Sequence, residues 1–174
     1  MRLSIRSMTP EDWPAVARIY QEGMDTNLAT FQTECPSWEE WNAAHLQQCR
    51  LVAVVDDAVA GWAALSPYSS RSVYSGVAHL SIYIGQEARG VGVGKALLTA
   101  MIAASEEAGF WTLQSGIMEN NAASIALHNS CGFRLVGYRE KIAQDRNGVW
   151  RNTLLMERRS VRDDFRDQAC GGCC

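Results

Sequence analysis

Apolar and polar positions alternate at residues 3–6, where Leu3 and Ile5 are separated by Ser4 and Arg6, and this two-residue period predicts a strand. The period then lengthens. Trp13, Val16, Ala17 and Tyr20 recur at helical spacing, which predicts a first helix ending near Glu22 and Gly23, with Gly23 as its C-cap. A second helix is predicted from Trp38 to about Gln48, with Trp38 and Trp41 as packing residues. Residues 51–55, 59–65 and 77–84 predict three strands, the first two forming a hairpin, and the β-branched and aromatic run 81–84 suits a buried strand. Ala96, Leu97, Ala100, Met101 and Ala104 mark one face of a third helix. Residues 111–117 predict another strand, residues after Asn121 a short helix, and residues 133–143 and 149–158 two long closing strands. The order β-α-α-β-β-β-α-β-α-β-β predicts an α/β fold built on one mixed sheet with helices on both faces.

The punctuation agrees. Thr9-Pro10-Glu11-Asp12 combines an N-cap residue, a proline at the first helical position and first-turn acids. Ser37 and Glu40 form a capping box, and an asparagine N-cap is expected within residues 119–124, where a short helix begins. Asp56-Asp57 and Asn147-Gly148 predict hairpin turns. Residues 27–36 and 67–76 have no period and are expected to be loops.

Length and composition narrow the function. The 174 residues suit one domain, assigned to 1–160, followed by a flexible cysteine-rich tail at 161–174. A net charge of −3 gives no reason to expect nucleic acid or an acidic membrane as partner. No apolar run approaches the roughly 18 residues of a membrane helix, and the first residues carry no signal-peptide stretch, so a cytoplasmic location is expected. Cys35, Cys49 and Cys131 are expected to be free thiols there.

The chemistry concentrates at residues 82–95. The strand residues Ile82, Tyr83 and Ile84 lead into Arg89-Gly90-Val91-Gly92-Val93-Gly94-Lys95, where a helix begins. Glycines there leave first-turn amides uncovered at the positive end of the helix dipole, which makes an anion site. The spacing is not the G-x-G-x-x-G dinucleotide fingerprint, and no G-K-[ST] closes a phosphate loop. The alternative is a turn that only packs its helix on the sheet, with Arg89 a solvated surface charge.

Residues 89–94 resemble the coenzyme-A pyrophosphate loop of the GCN5-related N-acetyltransferases. Residues 121–128, closing on Cys131-Gly132-Phe133, resemble the second cofactor motif of that superfamily. Within it, residues 27–31, 71–74, 123–128 and 148–151 look like the phosphinothricin and methionine-sulfoximine acetyltransferases, and residues 111–114 and 149–160 most like the arsinothricin-resistance branch. The resemblance implies the acyltransferase fold of that superfamily, acetyl-CoA as co-substrate and direct attack by the α-amine of a small glutamate-like amino acid without an acyl-enzyme. It also implies a homodimer. The backbone of Ile82, Tyr83 and Ile84 would polarise the thioester and hold the pantetheine arm together with Asn121. Arg89, Gly90, Val91, Gly92, Val93, Gly94 and Lys95 would hold the pyrophosphate.

Departures from the pattern carry their own expectations. His79 stands where the phosphinothricin-type enzymes have a glutamate base, and neutral imidazole can take that role; the alternative is a satisfied strand residue. His128 stands where many superfamily members have the tyrosine that protonates the thiolate; the alternative is helix packing. Arg71 is a candidate carboxylate partner by its guanidinium fork, and Thr30, Phe31 and Tyr74 are candidates to line the side-chain pocket; the alternative for each is ordinary loop structure. The closing hairpin, with Asp145, Asn147 and Asn152, lacks the lysine and aspartate common in the family, which leaves the substrate's anionic end without an assigned partner. Acetylation of another small amine or of a protein N-terminus, and a non-catalytic acyl-CoA sensor, are the competing readings.

Cys170, Cys173 and Cys174 crowd the C-terminus. Either they hold a thiophilic ion, trivalent arsenic being the one the resemblance suggests, or they bind nothing; they do not complete a zinc site. Calorimetry with arsenite decides: under the first reading, truncation after Arg166 removes tight binding and leaves acetylation unchanged, and equal binding by both forms establishes the second.

Overall fold

The computed structural model describes residues 1–165; the cysteine cluster of the tail lies outside the described residues. Seven strands form one sheet in the order β1-β2-β3-β4-β5-β7-β6: β1 (Leu3–Ser7), β2 (Leu51–Val55), β3 (Ala58–Pro67), β4 (Val77–Ile84), β5 (Thr112–Met118), β6 (Arg134–Gln144) and β7 (Trp150–Arg159). All neighbours pair antiparallel except β4 and β5, which run parallel. The helices are α1 (Trp13–Asp25), α2 (Trp38–Ala44), α3 (Val93–Glu107) and α4 (Ala122–Ser130).

Strand alternation sorts the core into two layers. Ala53, Ala63, Leu65, Ala78 and Leu80 face α3, where Leu97, Leu98 and Met101 are fully buried. Val52, Trp62 and Ala64 face the opposite way, against Val16, Ile19 and Met24 of α1 and Trp41 of α2. That second layer is an aromatic block. Trp62 stacks on Tyr83 at 4.9 Å, and Tyr20 and Trp41 meet Trp62 edge-on at 5.3 and 5.5 Å.

Three expectations are corrected. Gly23 is not a C-cap. It lies inside α1, where a Cβ would come within 2.6 Å of the Tyr83 ring, so it is the residue that lets the helix cross that ring. Helix α2 starts at the predicted capping box, with Glu40 N donating to Ser37 Oγ at 3.2 Å, but stops at Ala44. Arg50 ends it by donating to the carbonyls of Asn42, His45 and Leu46 at 2.6–3.0 Å. The chain after Ser160 is docked as far as Phe165: Arg159 donates to the Phe165 carbonyl at 2.7 Å, and the Phe165 ring meets Trp111.

The β6–β7 turn is pinned to the end of α1. Asp145, whose side chain is fully buried, accepts from Arg151 Nε at 2.7 Å, Asn27 Nδ2 at 3.0 Å and the amides of Asn147 and Val149. Arg146 donates to the Met24 carbonyl at 2.7 Å. Burial alone would raise the Asp145 carboxyl, but these donors overcome it and hold it down to about 2. A carboxylate depressed in the folded state stabilises the fold above its unfolded pKa of about 3.9, and that contribution is lost as pH falls through the folded value. Asp145→Asn should therefore lower the melting temperature by a constant amount between pH 5 and pH 8. The gap from wild type should shrink below about pH 4, and a gap that persists undiminished at pH 2 would refute this account.

Candidate active site

The parallel pair β4 and β5 is joined only at Val77–Thr112, Ala78–Leu113 and His79–Gln114. Beyond His79 the strands diverge, although β4 stays paired with β3 to Ile84 and β5 with β7 to Met118. The gap leaves backbone groups of β4 unpaired. Gly85 N donates to Ala60 O on the β3 side, while Ile84 O accepts from Arg89 Nε at 3.0 Å on the open side. By alternation, the amide and carbonyl of Ile82 also face the gap. Of these, the Ile82 amide is a donor fixed at the edge of a rigid sheet, suited to a carbonyl oxygen on which charge develops.

Two clefts meet at this edge. One, about 600 Å³, runs between β4 and the start of α3 on one side and α4 on the other, past Arg89, Gly90, Gly92, Gly94 and Lys95. The other, about 400 Å³, lies on the α1–α2 side and is lined by Tyr20, Thr30, Phe31, Gln32, His45 and Ser115 among others. Ile82, Tyr83, Asn121 and Ser124 belong to both.

The first cleft suits a phosphorylated cofactor. Gly92 is the N-cap of α3 at φ 91°, without a side-chain cap, and Gly90 sits at φ 75°. A Cβ at either would enter open space, so the positive φ rather than crowding requires glycine, and it turns the chain so that the first amides of α3 face outward. The first turn of α3 holds no acid, and Arg89 is anchored beside it. Val91 is exposed and Val93 fully buried in the core, so these two contribute backbone only. A glycine cradle, free helix amides and flanking cations fit a pyrophosphate.

The second cleft holds several of the expected substrate residues. Thr30 and Phe31 line it. Arg71 and Tyr74 do not: the guanidinium lies over the Tyr74 ring at 5.6 Å on the exposed 67–76 loop. Tyr68 links that loop to His79, with ring centroids 5.7 Å apart. His79 is half-buried on the β4 face shared with Ser81 and Tyr83. Burial lowers its pKa, and the nearby Arg139 charge lowers it further, so it is neutral at pH 7.

Asn121 caps α4 by accepting from Ser124 N at 3.1 Å, and its Nδ2 donates to Leu28 O at 3.1 Å, bridging the junction of the clefts. His128 is 2% exposed, with Nδ1 2.8 Å from Ser124 O and Nε2 3.0 Å from Ser115 Oγ. Burial lowers its pKa against the opposing bond to Ser124. His45, Ser115 and Arg139 escaped sequence reasoning. The available signal was Gln114-Ser115, a polar pair in an otherwise apolar strand; His45 and Arg139 belong to no motif.

The sequence profile of the Acetyltransferase (GNAT) family matches residues 13–133. The chain belongs to that family. It is an acetyltransferase, with acetyl-CoA as its co-substrate. The phosphinothricin N-acetyltransferase of Alcaligenes faecalis is 32% identical over 161 residues, covering 89% of this chain and 81% of that protein. The L-methionine sulfoximine/L-methionine sulfone acetyltransferase of Pseudomonas paraeruginosa is 28% identical, covering 90% and 94%. Among solved structures, a phosphinothricin acetyltransferase from Sinorhizobium meliloti in complex with acetyl-CoA superposes with a TM-score of 0.81 at 30% identity, covering 91% of this chain and 89% of that one. A ribosomal-protein-alanine N-acetyltransferase from Brucella melitensis also reaches 0.81, at 31% identity and covering 90% and 99%.

Gly92→Asp should abolish acetyl-CoA binding in calorimetry, because it puts a carboxylate at the phosphate cradle. Gly109→Asp is the control, with the same φ of 91° and open space at the far end of α3. It should bind acetyl-CoA as wild type does. Equal affinity in both variants would disprove the placement of the phosphates.

Proposed function

We propose that this protein acetylates the α-amine of a small glutamate-like amino acid of the phosphinothricin, methionine sulfoximine or arsinothricin type. The observation that carries the reading is the meeting of the two clefts at the open edge of β4, which brings a phosphate cradle and an acceptor pocket to one pair of strand residues. The names of the 28–32% identical relatives supply the acceptor class.

Acetyl-CoA supplies the activated acetyl group; the chain supplies orientation and proton handling. Gly90, Gly92 and the first amides of α3 hold the pyrophosphate, with Arg89 and Lys95 beside them. Ile82 N–H donates to the thioester oxygen, and Asn121 Nδ2 exchanges Leu28 O for the pantetheine arm. The amine enters on the Thr30–Phe31 side and attacks the thioester directly. His79 takes the ammonium's proton before attack, and its half-exposed ring releases that proton to solvent. His128 serves the sulfur's need for a proton. Among the described residues no Lys or Arg lines the acceptor cleft, so the substrate's carboxylates reach outward to Arg139 and to Arg71 on the 67–76 loop.

A second reading, acetylation of a protein N-terminus, is favoured by the Brucella structure's name. The homodimer expected from the sequence has a face available on edge strand β6, where Leu135, Val136, Tyr138 and Ile142 are exposed beside Trp150 of β7. Sedimentation at micromolar concentration should give twice the chain mass, and a monomer mass removes this part of the reading.

A thiol-release assay tests the acceptor. Phosphinothricin, methionine sulfoximine or arsinothricin should turn over, and an alanine-terminated ribosomal peptide should not; the reverse pattern replaces the first reading with the second. His79→Ala should lower kcat/KM by about 10²-fold. In the wild type kcat/KM should fall with acidification through a pKa below the ordinary value near 6.5, since burial and Arg139 depress it. An unchanged pH profile in the variant excludes His79 as the base.

A further inference from the structure

Ser115 is 4% exposed on β5, at the wall of the acceptor cleft, with its hydroxyl 3.0 Å from His128 Nε2. The other ring nitrogen, Nδ1, lies 2.8 Å from the Ser124 carbonyl. A carbonyl only accepts, so Nδ1 carries the ring proton and Nε2 presents a lone pair. The proton between Oγ and Nε2 is therefore the serine's. Both ring nitrogens are engaged, and the ring is packed edge-on against Phe133 at 4.9 Å. His128 in this state cannot donate from Nε2, which accepts from Ser115 at the cleft wall. A tyrosine-like direct protonation of sulfur is incompatible with this tautomer.

We propose that Ser115 is a catalytic hydroxyl that passes a proton from the attacking nitrogen to His128 and back to the departing sulfur. As the C–N bond forms, the nitrogen's surplus proton moves to Ser115 Oγ while the serine's own proton moves to Nε2. As the C–S bond breaks and its electron pair leaves on sulfur, His128 returns the proton to Oγ and the serine delivers one to sulfur. Serine and histidine finish as they began, and the products are the amide and the thiol. The ammonium proton taken earlier by His79 is separate and goes to solvent, which balances the reaction. His128 is thus a proton store that also fixes the hydroxyl's direction. The lowered pKa of the buried imidazole keeps it neutral and ready to accept at pH 7.

The assignment rests on the acetyl-transfer reading but not on which amine is acetylated. Nitrogen-15 spectra of the histidine-labelled protein at pH 7 should show His128 protonated at Nδ1 and bare at Nε2, with the Nε2 resonance displaced in Ser115→Ala. A proton on Nε2 overturns the relay without any turnover measurement. In steady-state kinetics Ser115→Ala and His128→Gln should each lower kcat by about 10²-fold while acetyl-CoA affinity is kept. The double variant should lose no more than either single one, because the two groups act as a unit. Ser115→Thr, which keeps the hydroxyl, should restore most of kcat. Wild-type kcat in Ser115→Ala, or multiplied losses in the double variant, overturns the proposal. A wild-type protein that acetylates only amines outside the glutamate-like class refutes the acceptor assignment alone, and the same variants are then read on that amine. If it acetylates no amine, both fall.

Discussion

The site depends on a parallel strand pair that stops pairing after three residue positions. Every backbone group left unmade at such an edge forgoes a hydrogen bond, and a desolvated one costs about 1–3 kcal/mol. The gap persists because each of its walls is held elsewhere. β4 is locked to β3 from Ala78 to Ile84 and β5 to β7 along its whole length. The Trp62–Tyr83 block braces β4 from one face, and Leu97, Leu98 and Met101 of α3 brace the sheet from the other. The chain therefore presents fixed donors in an opening that it does not have to rearrange to create, which is the condition under which such donors assist catalysis.

The loop after α1 ties this opening to the closing hairpin. Asn27 reaches Asp145, Arg146 reaches Met24 O, and Leu28 O takes the Asn121 amide. Residues 24–28 thus contact both the turn that ends β6 and the cap of α4. Thr30 and Phe31, a few residues on, are positioned by those contacts rather than by regular structure. A buried carboxylate with four donors is an expensive group to place in a turn unless it is fully satisfied. Asp145 is satisfied, and the departure from the family's hairpin sequence has a structural rather than a substrate-binding explanation. Asn152 has one as well: it accepts from Lys141 N and donates to Glu119.

What the sequence disclosed, it disclosed through periodicity and backbone chemistry. The strands fell within a residue or two of their observed bounds, and all but the edge strand β6 have one face against a core layer. Glycines at 90 and 92 announced a positive-φ turn at the start of α3. Gly23 misled because a glycine near a helix end reads as a cap, and only the tertiary approach of Tyr83 reveals its use. The end of α2 was hidden because Arg50, eight residues beyond Asn42, supplies the terminating donors. Arg71 and Tyr74 looked like pocket residues because loops carry binding groups, but the stacking of one on the other holds them outside the cleft wall. Ser115 went unnoticed because its role depends on the rotamer and tautomer of a residue 13 positions away.

Two of the chain's three histidines use one device. His45 Nδ1 donates to Trp41 O at 2.8 Å, and His128 Nδ1 donates to Ser124 O at the same distance, each to the carbonyl four residues earlier. Both rings line the acceptor cleft, both are pushed by burial toward the neutral form, and both are left with Nε2 as the accepting nitrogen. At His128 that nitrogen is already taken by the Ser115 hydroxyl, and the cleft wall is, among the described residues, free of Lys and Arg. A wall without cations offers a carboxylate no charged partner. Under the proposed function an amino-acid acceptor enters amine first, with its carboxylates toward Arg139 and the 67–76 loop. The two imidazoles, each turned by a helical carbonyl and pushed by burial toward the neutral form, add no positive charge to that wall at pH 7.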